Sequence, residues 1–193
     1  MNRPLEQHRD IARYPVARDD PPIVIIGAGP VGQRVAAEFL QQSLQKPVPV
    51  ILFGDEPWAL YDRVQLSGYL AGDIPDIAVT GQLGDDPRLT CYLGTRISAI
   101  DRERRVIIDN NGDACPWSRL VLATGSRASV PPIPGIELTH VYRFRDLDDA
   151  GQLMARTVRS RHTVVIGGGL LYHGDAGIEA VGRLEPGRVR GSV

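Results

Sequence analysis

The stretch Ile23-Val24-Ile25-Ile26-Gly27-Ala28-Gly29-Pro30-Val31-Gly32 decides the reading of this chain. Its four consecutive β-branched residues read as a strand buried on both faces. The glycines that follow stand in G-x-G-x-x-G spacing, and Val31, Val35, Ala36, Phe39 and Leu40 then recur at helical intervals. A strand that passes into a helix through such a turn brings backbone N–H groups and the positive end of the helix to one spot, which suits a dinucleotide pyrophosphate. Gly27, Ala28, Gly29, Pro30, Val31 and Gly32 are therefore the candidate binding residues.

Pro47 and Pro49 close the helical segment, and the apolar run Val50-Ile51-Leu52-Phe53 restores a strand, so the chain begins a parallel sheet. Asp55 follows at close to the spacing of about 20 residues at which a carboxylate accepts from a ribose, with Glu56 beside it as the rival. Residues 58–81 have no clean period and read as loop with a short helix around 67–70. Strand-like pieces at 90–93, 96–100 and 105–109 lead into Asn111-Gly112, a hairpin signal, and predict a small antiparallel meander inserted in the parallel domain. Leu120-Val121-Leu122-Ala123 reads as a further buried strand. Beyond the stiff Pro131-Pro132-Ile133-Pro134-Gly135 connector, Leu147, Ala150, Leu153, Met154 and Val158 predict a helix, and Thr163-Val164-Val165-Ile166 a strand.

Composition narrows the class of partner. With 193 residues, 42% apolar content and a net charge of -1, the chain can bury one core and offers no concentrated basic face for nucleic acid or an anionic membrane. The cluster Arg102, Arg104, Arg105 reads as a solvated strand edge. Residues 1–22 are polar, Pro-bearing and without an apolar signal core, so a flexible leader and a cytoplasmic location are expected. Cys91 and Cys115 match neither a CxxC pair nor a metal-ligand spacing and read as reduced structural thiols.

Taken together, IVIIGAGPVG, LFGDEPWALYDRVQLSGYLAG, LVLATGSRASVPPIPG, VYRFRDLDD and VVIGGGLL resemble the N-terminal flavoprotein part of the NAD(P)H-dependent nitrite reductase large subunit. That family belongs with the ferredoxin and rubredoxin reductases among flavoproteins with two dinucleotide domains. The resemblance covers roughly residues 22–171. It implies an FAD-binding Rossmann-like domain, with Asp55 or Glu56 on the adenosine ribose and Arg63 and Ser67 near the pyrophosphate and flavin ring. Ala123, Thr124 and Gly125 would pass under the cofactor. In the ferredoxin reductase relatives a lysine follows the serine; here the position is Gly68, which leans away from that branch. The redox CxxxxC of the disulfide reductases is absent before Cys91.

A second glycine turn, VVIGGGLL, carries Gly167 and Gly169 as candidate residues of an NAD(P)H site. The family pattern GGGLLG is interrupted by Tyr172-His173-Gly174-Asp175-Ala176, and the chain ends at Val193 without a second ribose-binding strand. The expected organisation is a leader over 1–22, an α/β FAD-binding domain over 23–135, and a linker helix with the first strand and turn of a truncated NAD(P)-binding domain over 136–193. The expected function is an oxidoreductase that takes hydride from NAD(P)H through FAD to a sirohaem, iron–sulfur or ferredoxin-type acceptor in its full form, this chain alone being inactive or impaired. A non-catalytic flavoprotein fragment and a reductase of a separate ferredoxin or rubredoxin are the alternatives.

Overall fold

The apolar run Ile23–Ile26 lies inside a parallel sheet whose strand order is β3-β2-β1-β7. The computed structural model describes residues 14, 20–42, 47–74, 77, 83, 85–127, 130–157 and 163–166. These belong to two compact units interleaved along the chain, residues 1–61 with 79–126, and residues 62–78 with 127–193.

In the first unit β1 (Ile23–Ile26) passes through the glycine turn into α1 (Pro30–Gln42), then β2 (Val50–Phe53) and β3 (Leu89–Tyr92). An antiparallel group of β4 (Ile97–Asp101), β5 (Val106–Asp109) and β6 (Ala114–Pro116) follows, and β7 (Arg119–Leu122) returns to the parallel sheet on the other side of β1. The register is unbroken, with Ile23, Val24, Ile25 and Ile26 facing Val50 to Phe53 in β2 and Arg119 to Leu122 in β7.

The alternation of side chains along β1 and β2 explains why both runs are wholly apolar. Ile23, Ile25, Val50 and Leu52 pack against Ala36, Ala37 and Leu40 of α1. Val24, Ile51 and Phe53 point to the opposite face, against Ile107 and Cys115 of the antiparallel group. The central strands β1 and β2 are thus enclosed between a helix and a meander, and each fully buried Ile or Leu contributes ~1.5–3 kcal/mol.

Several expectations change. Residues 90–93 do not join the meander, because Leu89 to Tyr92 pair in parallel with Val50 to Phe53; the meander's third strand is β6 instead. Tyr14 sits in the segment expected to be a flexible leader, yet it is 3% exposed and packs edge-on against Phe53 and Tyr92. Its hydroxyl donates to Asp109 Oδ2 at 2.7 Å. Val31, assigned to the apolar face of the helix, is 66% exposed, and Gln33 takes a buried place on that face.

The second unit contains a 3-10 turn at Arg63–Gln65, α2 (Leu66–Ala71) and α3 (Leu147–Thr157). Asp62 caps the 3-10 turn by accepting from the Val64 N–H at 3.0 Å. Asp146 and Asp149 form a reciprocal cap at the start of α3: the Asp149 N–H donates to Asp146 Oδ1, and the Arg145 N–H donates to Asp149 Oδ2, both at 2.9 Å. Residues 163–166, expected as a strand, form none and are exposed, since an apolar run becomes a strand only where a partner edge pairs with it.

Candidate functional site

In the first unit the carboxyl ends of β1, β2 and β7 lie side by side. The chain leaves β1 toward β2 and β3 on one side and returns to β7 on the other, which makes the end of β1 the switch point of the sheet. Backbone bonds carry the ladder past the strand ends. The Gly27 N–H donates to Phe53 O at 2.8 Å, the Ala123 N–H to Ile26 O at 2.8 Å, and the Gly54 N–H to Tyr92 O at 2.9 Å. Residues 27–32, 54–56 and 123–125 are thereby brought together at one edge.

The three glycines of the turn have different jobs. Gly27 has φ +115°, and a Cβ there would overlap the Ala123 carbonyl. A Cβ on Gly32 would overlap the Gly27 carbonyl oxygen, so the turn can close on the helix only without side chains. Among the described residues, nothing lies within 4 Å of where a Cβ on Gly29 would stand: this residue faces open space. Pro30 occupies the first helical position, where its missing N–H costs nothing, and the intrahelical ladder begins with the Gln33 N–H on Gly29 O at 3.0 Å. The Val31 and Gly32 N–H groups precede that first bond and stand at the positive end of the helix.

At the end of β2, Gly54 is buried and a Cβ there would come within 2.7 Å of the Ala28 Cβ, so a glycine is also needed where the two turns abut. Asp55 is exposed. Glu56 is half-buried and accepts from the Tyr61 hydroxyl at 2.6 Å, and its carbonyl accepts from the Gly94 N–H at 2.8 Å. The two carboxylates that the sequence leaves as equals are therefore in different states. Ala123 is half-buried beside Gly27, Thr124 is exposed, and Gly125 turns with φ +66°.

Arg63 and Ser67 lie in the second unit. Arg63 is half-buried and donates through Nη1 to the Arg145 carbonyl at 2.7 Å; Ser67 is half-buried in α2. Gly167 and Gly169 lie outside the described residues, as do residues 172–176. Sequence reasoning missed Gly54, Gln33 and Tyr61. For Gln33 a signal existed: it is a polar residue on the helical face defined by Ala36, Ala37 and Leu40.

Among the described residues no three or more His, Cys, Asp or Glu side chains are placed to hold a metal ion. None of the described helices is long and apolar enough to cross a membrane. Cys91 is exposed, whereas Cys115 is buried and its thiol is pushed up to about 12 by desolvation.

A parallel sheet with a glycine turn at its switch point and a carboxylate at the end of the next strand defines a dinucleotide-binding α/β protein. The chain belongs to the pyridine nucleotide-disulphide oxidoreductase family, whose model matches residues 21–171. It is 38% identical over 167 residues to the nitrite reductase [NAD(P)H] large subunit of Klebsiella oxytoca, covering 86% of this chain and 17% of that protein. It is 35% identical over 156 residues to the ferredoxin–NAD(+) reductase component of the anthranilate 1,2-dioxygenase system of Burkholderia cepacia, covering 78% of this chain and 37% of that one. Among solved structures, a ferredoxin reductase from Rhodopseudomonas palustris superposes with a TM-score of 0.67 at 32% identity, covering 77% of this chain and 37% of that chain. The chain thus spans less than a fifth of the nitrite reductase relative and little more than a third of the ferredoxin reductases.

Proposed function

We propose that this chain binds FAD at the carboxyl edge of its parallel sheet, as the flavin end of an NAD(P)H-dependent oxidoreductase. The observation that carries the reading is the contrast inside the turn: Gly27 and Gly32 are wedged against backbone while Gly29 opens onto free space beside the first helical amides. A diphosphate fits such a place, since it needs close backbone approach and N–H donors rather than a cationic side chain. Val31 and Gly32 would donate to the pyrophosphate. Asp55, exposed at the end of β2, would accept from the ribose hydroxyls, while Glu56 keeps Tyr61 in place. Ala123 and Thr124 would form the floor.

When bound, FAD supplies two-electron uptake from a nicotinamide and one-electron release. The protein's part is to hold the dinucleotide and fix its orientation. In the full form of such a protein the acceptor would be a sirohaem and iron–sulfur centre that reduces nitrite to ammonia, in line with the likeness to the Klebsiella oxytoca large subunit. A ferredoxin acceptor is the second reading, in line with the likeness to the Burkholderia cepacia component. Against it stands Gly68, where the ferredoxin reductase branch has a lysine and where Ile74 Cδ1 lies 3.0 Å from the place of a Cβ.

The test is the visible spectrum of the purified chain with added FAD, followed by anaerobic NADH. Flavin bands that stay with the protein through gel filtration support the binding site, and bleaching by NADH supports a working reductase. Bound flavin that does not bleach leaves a cofactor-binding fragment. A colourless protein refutes the assignment.

A further inference from the structure

The backbone that would hold the diphosphate is itself held by a side chain. We infer that Gln33 is the positioning residue of the site, an inference that rests on the FAD reading. Gln33 is 5% exposed on the face of α1 that otherwise carries Ala36, Ala37 and Leu40. An apolar side chain would serve helix packing there, and a buried amide is costly unless both its N–H groups are paired. Both are: Nε2 donates to Ala28 O at 2.9 Å and to Tyr61 O at 3.1 Å.

Each bond fixes a different part of the site. A peptide unit is planar and trans, so its carbonyl and the following N–H point in opposite directions. With the Ala28 carbonyl turned to Gln33, the Gly29 N–H is turned the opposite way, away from the Gln33 amide, at the residue that opens onto free space. The second bond holds the Tyr61 backbone, and the Tyr61 hydroxyl in turn donates to Glu56 beside Asp55. One amide thus ties the glycine turn after β1 to the acidic corner after β2. Gln33 touches neither the diphosphate nor the ribose; it sets the orientation of one and its spacing from the other.

The test compares the full chain with Gln33→Met, which keeps length and packing but removes both donors, and with Gln33→Glu, which sets a carboxylate against two carbonyls. Leu40→Ala, remote from the turn on the same buried face, serves as the stability control. FAD affinity is read by quenching of flavin fluorescence, and ADP and AMP affinities by competition, all well below each variant's Tm. Gln33→Met is expected to weaken FAD and ADP about tenfold and to shrink the preference for ADP over AMP, with a larger loss in Gln33→Glu. Leu40→Ala should lower Tm at least as much yet leave these affinities and the ADP preference unchanged. Hydrogen exchange of the Gly29 amide in the ligand-free chain should quicken in Gln33→Met alone. Unchanged FAD affinity in Gln33→Met, with a wild-type chain that binds, overturns this inference and leaves the FAD site standing; an equal loss in Leu40→Ala also overturns it. A wild-type chain that ignores FAD overturns both.

Discussion

The turn that follows β1 and the turn that joins β5 to β6 are both tight, both glycine-bearing and both part of the same compact unit, yet their amides are treated differently. In the first, residues 27–32, the contacts come from outside: Phe53 and Ala123 backbone, and the Gln33 side chain. In the second, Asp109 is 1% exposed and accepts from the Asn111 and Asp113 N–H groups at 2.8 and 2.9 Å and from the Tyr14 hydroxyl. The Asp113 carbonyl accepts from the Asp109 N–H, and Gly112 turns with φ +89°. A turn that satisfies its own amides has finished its hydrogen bonding. In the first turn the Val31 and Gly32 amides precede the intrahelical ladder, whereas Asp109 takes the amides of the second, and that difference separates a binding corner from a structural one.

The sharpest way to break the comparison is Gly32→Ala. Its Cβ would overlap the Gly27 carbonyl oxygen, and backbone cannot move aside as a flexible side chain would. We expect a loss of at least ~3 kcal/mol, or failure to fold, by urea denaturation. Gly29→Val should behave otherwise although it lies in the same turn. Among the described residues nothing stands within 4 Å of the added Cβ, so Tm should shift by no more than a few degrees. FAD binding should fall by more than about a hundredfold, because the branched side chain fills the space where a diphosphate would approach. Retained flavin in Gly29→Val would sink the site assignment.

The sheet was legible where burial on both faces leaves a mark in every residue: Ile23–Ile26 and Val50–Phe53 could be read as strands because no polar residue interrupts them. The sequence Leu-Thr-Cys-Tyr of β3 carries no such mark. Whether it pairs in parallel with β2 or joins a meander is decided by contact with a distant strand, not by its own period. Tyr14 carries no mark for the same reason: a lone aromatic in a polar segment says nothing about Phe53 or Tyr92. At the site, glycine spacing located the turn and the carboxylates, but Asp55 is distinguished from its neighbour by its exposure and by the Tyr61 hydroxyl on Glu56, neither of which spacing carries.

Asp109→Ala tests the turn whose amides that carboxylate takes. It removes the acceptor of the Tyr14 hydroxyl and of the Asn111 and Asp113 N–H groups at once and should cost about 3 kcal/mol, as a fall in the urea midpoint with unchanged slope. Cys115, paired with Ile107 in the adjoining β6, supplies a local probe. Desolvation raises both thiols, that of Cys115 to about 12, but Cys115 is also buried and should resist alkylation at pH 8 in the wild type while the exposed Cys91 reacts faster. In Asp109→Ala the Cys115 rate should rise as the hairpin opens, and a rate unchanged beside a lowered midpoint would show that Asp109 steadies something other than this hairpin.

Tyr14→Phe makes the smallest and most selective cut. The ring keeps its edge-on contacts with Phe53 and Tyr92, at centroid distances of 5.3 and 4.8 Å, and only the hydroxyl on Asp109 is lost. The expected cost is about 1 kcal/mol, because Asp109 retains its two backbone donors and only one bond to the carboxylate is removed. Tyr14→Ala would remove the ring as well and should cost about 3 kcal/mol or more. The gap between the two variants separates what the aromatic packing contributes from what the hydroxyl adds to the closed turn. Since Tyr14 contacts the face of the sheet opposite α1, neither variant should alter FAD affinity measured below its Tm. A loss of affinity in Tyr14→Phe would mean that the two turns are coupled through the sheet, and that the division between a corner that only folds and a corner that binds is not as clean as their hydrogen bonds make it.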